Sequence, residues 1–240
     1  MDLKSLLAGR VLWRAVEAIE RRSHAWFNRS IRTDGTWRRA RVTDVNERIV
    51  EIPFVHARVE GRRVLDVGCC ESLLPLELAS LGYEVTALDL RPYPLRHPRI
   101  TSVREDIRRC SLPANTFDTA VALSTIEHVG LGFYAESADP GGDRAAVREI
   151  LRLLRPGGRF LLTVPFGRPA GGPGHRVYDD SGLRTLTEGF RREELICVVR
   201  DAAGAWGPTP AADAEQVTSH PVVHAVALLA VRSATAAGEP

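Results

Sequence analysis

The sequence predicts an α/β protein with a mostly parallel sheet. Residues 63–90 hold two β-rich apolar runs, each ending in an acid, with a helical pattern between them that Gly82 ends. Short apolar runs of this kind are typical of strands buried on both faces, so the stretch is interpreted as a βαβ unit. Further β-rich runs follow at residues 100–103, 119–124, 161–165, 194–200 and 224–232.

The composition is that of one globular core with a small appendage. The chain has 240 residues and a formal net charge of +2, which gives no reason to expect a dedicated nucleic-acid binder. No stretch approaches the roughly 18 apolar residues of a membrane span, so we expect neither a signal peptide nor a membrane span. The four cysteines lack metal-ligand spacing, which indicates free thiols in a reducing, cytoplasmic setting.

The βαβ unit carries acids where a nucleoside would bind. Ligands of such sheets lie at the carboxyl ends of the strands, where the amides of the first turn point outward. Asp66 and Gly68 end the first strand, and Asp89 ends the second. A carboxylate at the second position can accept hydrogen bonds from both hydroxyls of a ribose. Asp89 is therefore interpreted as a nucleoside clamp.

The order of short motifs resembles that of the class I S-adenosylmethionine-dependent methyltransferases. Their first motif has the form V-L-D-x-G-x-G-x-G, and this chain has VLDVGCCES, in which Cys70 and Ser72 replace two glycines. Two later landmarks, L-P-x-x-x-F-D and L-x-P-G-G, match residues 112–118 and 154–158. The resemblance covers residues 61–232. It implies a Rossmann-like, seven-stranded, mostly parallel sheet sandwiched by helices, with S-adenosyl-L-methionine as cofactor.

The same resemblance implies a division of the chain. Residues 1–60 would form an N-terminal helical arm on the substrate side, residues 61–232 the methyltransferase domain, and residues 233–240 a disordered tail. Apolar residues at helical spacing up to Ile19 indicate an amphipathic helix, which leaves a homodimer open. The basic, aromatic stretch of residues 21–41 could hold an anionic substrate, RNA or a membrane surface, or it could simply pack on the sheet.

Cofactor contacts are implied at each strand end. Asp106 would receive the adenine amino group in preference to Glu105, and Ser124 would lie near the methionine end. An acid at position 106 or 105 could instead cap the next short helix. The full expected set of cofactor-binding residues is Asp66, Gly68, Cys69, Asp89, Leu90, Asp106, Ile107 and Ser124.

Candidates for catalysis follow the fourth and fifth strands. An imidazole suits proton removal at neutral pH, so His128 is the candidate general base, although it could instead orient a loop or contact the cofactor. His175 is a second acid/base candidate, with a solvated side chain as the alternative. Glu127, Arg176 and Tyr178 are expected to hold the acceptor, and Tyr178 could instead anchor its loop.

The expected function is that of an O- or N-methyltransferase acting on a small metabolite, namely a sugar or a sugar-containing natural product. One alternative is an RNA or protein methyltransferase that uses the basic stretch, and another is a non-catalytic nucleotide-binding protein. No metal is expected. Asp139 and Asp143 could supply carboxylate ligands, but Asp143 is interpreted as a helix cap.

Overall fold

The computed structural model describes residues 46–70, 72–132, 134, 136–172 and 174–234, together with Ile19 and Arg22. The amphipathic helix expected near the start of the chain, the basic stretch and the expected tail therefore lie outside the described residues, apart from Ile19, Arg22 and positions 233–234. The described fold belongs to the compact unit of residues 47–240.

Helices and strands alternate through the first half of this unit, and strands dominate the second. Helices α1 to α5 are Arg48–His56, Leu74–Ser80, Gly142–Leu153, Asp180–Leu186 and Ala211–Ala214. Strands β1 to β5 are Arg63–Val67, Glu84–Asp89, Ile100–Arg104, Phe117–Leu123 and Leu154–Pro165. Strands β6 to β10 are Ala170–Gly171, Arg176–Val177, Phe190–Arg200, Trp206–Thr209 and Ala225–Ser233. Two 3-10 turns are Ile107–Arg109 and Ile126–His128.

The main sheet is mostly parallel, which confirms the predicted fold class. Its strand order is β3-β2-β1-β4-β5-β10-β8-β9. Strands β1 to β5 run parallel, whereas β10, β8 and β9 are added antiparallel. The strand order reverses next to β1, which has β2 on one side and β4 on the other. The crevice outside the carboxyl ends of β1 and β4 is therefore the expected ligand position.

The sheet has eight strands where the resemblance implied seven. The additional strand is β9, which pairs antiparallel with the end of β8, with Trp206 opposite Arg200 and Thr209 opposite Cys197. This segment lies between the predicted runs at 194–200 and 224–232, and no strand was predicted there. The run W-G-P-T lacks β alternation, so pairing with β8 and not local propensity makes it a strand.

The βαβ unit forms as predicted. Pro75 stands in the first turn of α2, where its missing N–H costs nothing, and Gly82 follows the helix with a φ of 103°. Val64 and Leu65 of β1 are completely buried between the two layers of helices. Among the described residues we find no helix with the length and apolarity to cross a membrane.

Helix α1 belongs to the sheet's own compact unit, although the arm was expected to extend to residue 60. Its residues Phe54 and Val55 pack in the core. The fully buried carboxylate of Glu51 accepts hydrogen bonds from Ser124 Oγ at 2.6 Å and from Thr163 Oγ1 at 2.7 Å. These bonds hold α1 at the carboxyl ends of β4 and β5.

Candidate active site

A cavity opens at the carboxyl ends of the parallel strands, on the side where the strand order reverses. Its wall contains most of the expected cofactor residues and the candidate base: Gly68, Asp89, Leu90, Asp106, Ile107, Ser124 and His128. The wall also includes Arg48 of α1 and Tyr134, neither of which was predicted as a site residue.

The turn after β1 requires a glycine at position 68. Gly68 has a φ of 76°, in the left-handed region that side chains rarely adopt. A Cβ atom there would lie 2.3 Å from the side chain of Thr125, which follows β4. The absence of a side chain at Gly68 therefore lets the ends of β1 and β4 approach each other at the floor of the cavity.

The carboxylate of Asp89 is fixed by amides of two loops. Its Oδ2 accepts from the backbone N–H of Cys70 at 3.0 Å, and its Oδ1 accepts from the backbone N–H of Arg91 at 2.9 Å. The side chain is 10% exposed and faces the cavity. Each carboxylate oxygen has further lone pairs, so this group can still accept from a diol.

The two cysteines of the turn behave differently. Cys70 donates its backbone N–H to Asp89, whereas Cys69 is buried beneath the turn against Ala87 and Tyr93. Burial raises the pKa of the Cys69 thiol well above its ordinary value, and neither cysteine is part of a disulfide. Cys69, expected as a cofactor contact, does not line the cavity.

Beneath the cavity lies an acid without a hydrogen-bond partner. Within the described part of the chain, Asp66 Oδ2 is buried and unpaired. Burial raises the pKa of Asp66 to about 8, the charge of Arg48 opposes this shift, and the charge of Asp89 adds to it. The guanidinium of Arg48 is in turn 2.8 Å from Glu51 Oε2. Arg48 therefore brings a positive charge to Asp66 and Glu127 at this end of the cavity.

The two acids after β3 have different partners. Glu105 turns back and accepts from the N–H and hydroxyl of Ser111, both at 2.6 Å. Asp106 caps the following 3-10 turn by accepting from the N–H of Arg108 and forms an ion pair with its guanidinium at 2.6 Å. The Arg108 contacts lower the pKa of Asp106 against the opposing effect of its burial. Asp106 therefore caps the 3-10 turn and also lies on the cavity wall.

His128 presents a single tautomer to the cavity. Its Nδ1 is hydrogen-bonded to the carbonyl oxygen of Gly174, which can only accept, so we place the proton on Nδ1 and the lone pair on Nε2. Burial lowers the pKa of His128 to about 4, so the imidazole is neutral at pH 7. The ring of Tyr134 meets the imidazole edge-on at 5.6 Å between centroids.

Glu127 lies beside this imidazole. Its Oε1 is 3.7 Å from His128 Nε2, and its Oε2 is buried without a hydrogen-bond partner among the described residues. Burial raises the pKa of Glu127 well above its ordinary value. The pair thus places a neutral imidazole beside a carboxyl group whose protonated form is favoured by burial.

The other three predicted site residues lie behind the cavity wall. His175 is buried, donates from Nε2 to the carbonyl of Ser219 at 2.8 Å, and has its ring 6.4 Å from that of His128. Arg176 donates to the Val129 carbonyl at 2.8 Å. Tyr178 anchors its loop by donating to Asp143 at 2.9 Å. None of the three lines the cavity.

The carboxylates considered as metal ligands are engaged elsewhere. Asp139 Oδ1 accepts from the N–H of Gly141 at 3.0 Å, and Asp143 is shared between Tyr178 and Arg176. Asp143 does not cap α3, since Gly141 occupies the cap position. In the part of the chain that the structure describes, no three His, Cys, Asp or Glu side chains are grouped in a way that would hold a metal ion.

Comparison with known proteins agrees with this geometry. Residues 65–162 match a family described as a methyltransferase domain. A ubiquinone biosynthesis O-methyltransferase of Xanthomonas oryzae pv. oryzae is 35% identical over 133 residues, which is 50% of this chain and 51% of that protein. The chain thus spans about half the length of the curated relatives it matches, 51% in each case.

Solved structures share the fold at low sequence identity. The 1,6-didemethyltoxoflavin-N1-methyltransferase of Burkholderia thailandensis, solved with bound S-adenosylhomocysteine, is 18% identical with a TM-score of 0.55, covering 95% of this chain and 92% of that one. The N-methyltransferase NodS of Bradyrhizobium japonicum, also with S-adenosylhomocysteine, is 18% identical with a TM-score of 0.56, covering 87% and 97%. Residues 65–162 are thus similar to a methyltransferase domain, and the chain shares its fold with methyltransferases that were solved with S-adenosylhomocysteine.

Proposed function

We propose that this protein transfers a methyl group from S-adenosylmethionine to a hydroxyl oxygen of a small molecule. The observation that carries the proposal is His128, a neutral imidazole at the cavity wall whose Nε2 lone pair is available as a proton acceptor. A nitrogen acceptor needs little more than orientation, whereas a hydroxyl must lose a proton. A base held in one tautomer therefore favours oxygen chemistry.

The residues around the cavity fit the cofactor group by group. Two oxygens of Asp89 suit the ribose diol, and Asp106 with the neighbouring amide of Ile107 suits the adenine ring. Arg48 suits the carboxylate of the methionine portion. Bound there, the cofactor supplies an electrophilic methyl group. The chain's own task is then to align the acceptor, exclude water and take up one proton at His128 Nε2.

For the acceptor we propose a sugar or a sugar-containing natural product. The small cavity, whose wall includes Tyr134 and the polar Glu136, supports an acceptor of metabolite size. The relatives from Xanthomonas act in ubiquinone biosynthesis, so a precursor of ubiquinone is the competing acceptor. Both contain hydroxyl groups, and the base at His128 serves either.

Calorimetric titration with S-adenosylhomocysteine tests the cofactor assignment. We expect binding by the wild type and a loss of about 100-fold or more in Asp89→Ala, because hydrogen bonds to a charged group contribute about 1.5–3 kcal/mol each. Asp201→Ala is the matched control: Asp201 also accepts from two loop amides, Ala203 and Ala205, but lies outside the cavity. A folded wild type that does not bind would overturn the proposal.

Transfer of a labelled methyl group then tests the acceptor. Sugar-containing metabolites and ubiquinone precursors are assayed side by side, with His128→Ala in parallel. Methylation of a sugar hydroxyl that His128→Ala loses would support both parts of the proposal. Binding of the cofactor without transfer to any hydroxyl would contradict the proposed reaction. The fold by itself does not fix the reaction, because the [4+2]-cyclase SpnF, 20% identical with a TM-score of 0.57, shares this fold and is named for a different chemistry.

A further inference from the structure

The segment after β6 returns to the turn that bears His128 and holds its backbone. Arg176 Nη1 donates to the carbonyl of Val129 at 2.8 Å and reaches the carbonyl of Glu127 at 3.3 Å. These two residues flank His128 in the chain. One guanidinium therefore bridges the backbone on both sides of the candidate base.

Arg176 is itself held by a buried acid. Its Nε lies 3.6 Å from Asp143 Oδ2, and the same oxygen accepts from the hydroxyl of Tyr178 at 2.9 Å. Asp143 is 6% exposed and Tyr178 is 8% exposed. Because these groups are shielded from water, their mutual contacts are not screened as a surface ion pair would be. We call Arg176, Asp143 and Tyr178 the brace.

The imidazole of His128 is fixed from the same segment. The carbonyl that accepts from His128 Nδ1 belongs to Gly174, two residues before Arg176. Gly174 has a φ of 110°, which a glycine adopts without strain. The position of this carbonyl therefore follows from where Arg176 anchors the segment. Which ring nitrogen carries the proton is set by this hydrogen bond.

We propose that the brace positions His128, holding its imidazole in the Nδ1–H tautomer with Nε2 toward the acceptor. This inference rests on the proposed function, in which His128 is the base. It moves Arg176 and Tyr178 from acceptor binding to a supporting role behind the wall. The role matters because a base displaced by about 1 Å can cost on the order of 100-fold in rate.

The tautomer of His128 can be observed without any acceptor. The full-length protein is labelled with ¹⁵N-histidine, its imidazole nitrogens are recorded by NMR at pH 7, and His128→Ala identifies the signals. We expect one neutral Nδ1–H form in the wild type and a mixture of tautomers in Arg176→Met. Affinity for S-adenosylhomocysteine should change less than about 3-fold, since the brace lies outside the cofactor contacts.

Arg192→Met is the matched control. Arg192 of β8 also pairs with an aspartate at a helix start, Asp180 of α4, and is 22% exposed. It lies outside the cavity, so its loss should leave the His128 signals and S-adenosylhomocysteine binding as in the wild type. With an acceptor in hand, Arg176→Met should lower kcat by about 100-fold while the KM for S-adenosylmethionine stays within a few-fold.

Folded Arg176→Met with wild-type His128 signals would overturn the inference. If that variant does not fold, Arg176→Lys decides, because lysine keeps a positive charge but has one nitrogen, whereas Arg176 uses Nε toward Asp143 and Nη1 toward the two carbonyls. Altered His128 signals in Arg176→Lys support the brace, and unchanged signals refute it. Failure of the wild type to bind S-adenosylhomocysteine would instead refute the proposed function, a separate readout from the imidazole spectrum.

Discussion

Each acid at the ends of β2 and β3 accepts from an amide two residues away, and Asp89 accepts also from Cys70, whereas the histidine after β4 is held by a carbonyl far along the chain. Asp89 accepts from the N–H of Arg91 and Asp106 from that of Arg108, while His128 bonds to Gly174. Following the proposed function, we call the first region, with Asp66 and Gly68, the cofactor half of the site, and Glu127 with His128 the acceptor half. The cofactor half is built mainly by local turns, and the acceptor half by tertiary contacts.

This difference bears on how each half tolerates change. A turn is specified by a few adjacent residues, so the cofactor half can keep its geometry while distant parts of the sequence vary. The acceptor half depends on β7, α3 and the ion pair between them, so we expect a change in any of them to move the candidate base. The predictions that follow probe the two halves separately, in order of decreasing effect.

The largest effect is expected in the acceptor half. His128→Ala should lower kcat for a hydroxyl acceptor by about 10²–10⁴-fold, the usual contribution of a positioned base. Affinity for S-adenosylhomocysteine should stay within a few-fold, because the cofactor half is intact. Single-turnover kinetics and titration measure the two quantities. His97→Ala, a histidine outside the cavity, is the control. Equal losses of rate and cofactor affinity would show that the halves are not independent.

The next effect is a pH dependence of stability caused by Asp66. Its folded pKa of about 8 exceeds its ordinary value of 3.8, so the folded state keeps a proton that the unfolded state has released. The stability contribution is complete below pH ~4 and is lost as the pH rises toward 8, by at most about 1.4 kcal/mol per pH unit. Urea unfolding at pH 5 and pH 7.5 should therefore show a steeper loss for wild type than for Asp66→Asn.

His128 does not confuse this measurement. Its pKa is lowered to about 4, so its own contribution is present above pH ~6.5 and is lost only as the pH falls. The contributions of His128 and Glu127 are also the same in wild type and Asp66→Asn, so they cancel when the two stability profiles are compared. Parallel stability profiles for wild type and Asp66→Asn would mean that Asp66 is ionised in the folded protein at neutral pH.

A smaller loss is expected at the glycine turn. Gly68→Ala should lower the free energy of unfolding by about 3 kcal/mol, because it adds left-handed backbone strain to a clash with Thr125. Gly82→Ala is the matched control: its φ is also positive, at 103°, but nothing lies within 4 Å of the added Cβ. It should cost about 1 kcal/mol from backbone strain alone. Similar losses in both variants would rule out crowding at the floor of the cavity.

The smallest effect concerns the loop beside Asp89. The hydroxyl of Tyr93 donates to the carbonyl of Ser72 at 3.0 Å and ties this loop to the turn after β1. Burial raises the pKa of Tyr93 to about 12, so the hydroxyl keeps its proton. Tyr93→Phe should cost about 1 kcal/mol in thermal or chemical unfolding. Tyr83→Phe, which removes a hydroxyl outside the cavity, is the comparison. No difference between them would mean that the loop is held by its apolar packing.

The same division explains what could be predicted from sequence. Asp66, Gly68, Asp89 and Asp106 each end a strand, and strand ends are visible in the alternation of apolar runs and turns. Most of the sheet, its parallel order and the positions of these residues on or beneath the cavity could be predicted for that reason. The bounds of α2 and the existence of strand β9 could not be predicted from sequence, because tertiary packing decides where marginal elements begin and end.

The acceptor half could not be predicted in the same way. Arg176 and Tyr178 follow a flexible-looking, glycine-rich stretch, which favours an interpretation as substrate ligands, but their partners Asp143 and Val129 are more than thirty residues earlier. Arg48 was missed because no motif marks it. The one local signal was its spacing to Glu51, an i,i+3 pair on a helix that sequence analysis did not predict.

Strand β9 has a consequence for the behaviour of the protein at high concentration. The exposed edge of a long strand is a template for another chain, and β8 has 11 residues. Only four residues of β9 cover it, and one of them, Pro208, has no N–H to donate to an incoming strand. Along these four residues a second molecule therefore finds an edge that lacks one donor, whereas the part of β8 before Cys197 is not paired with β9.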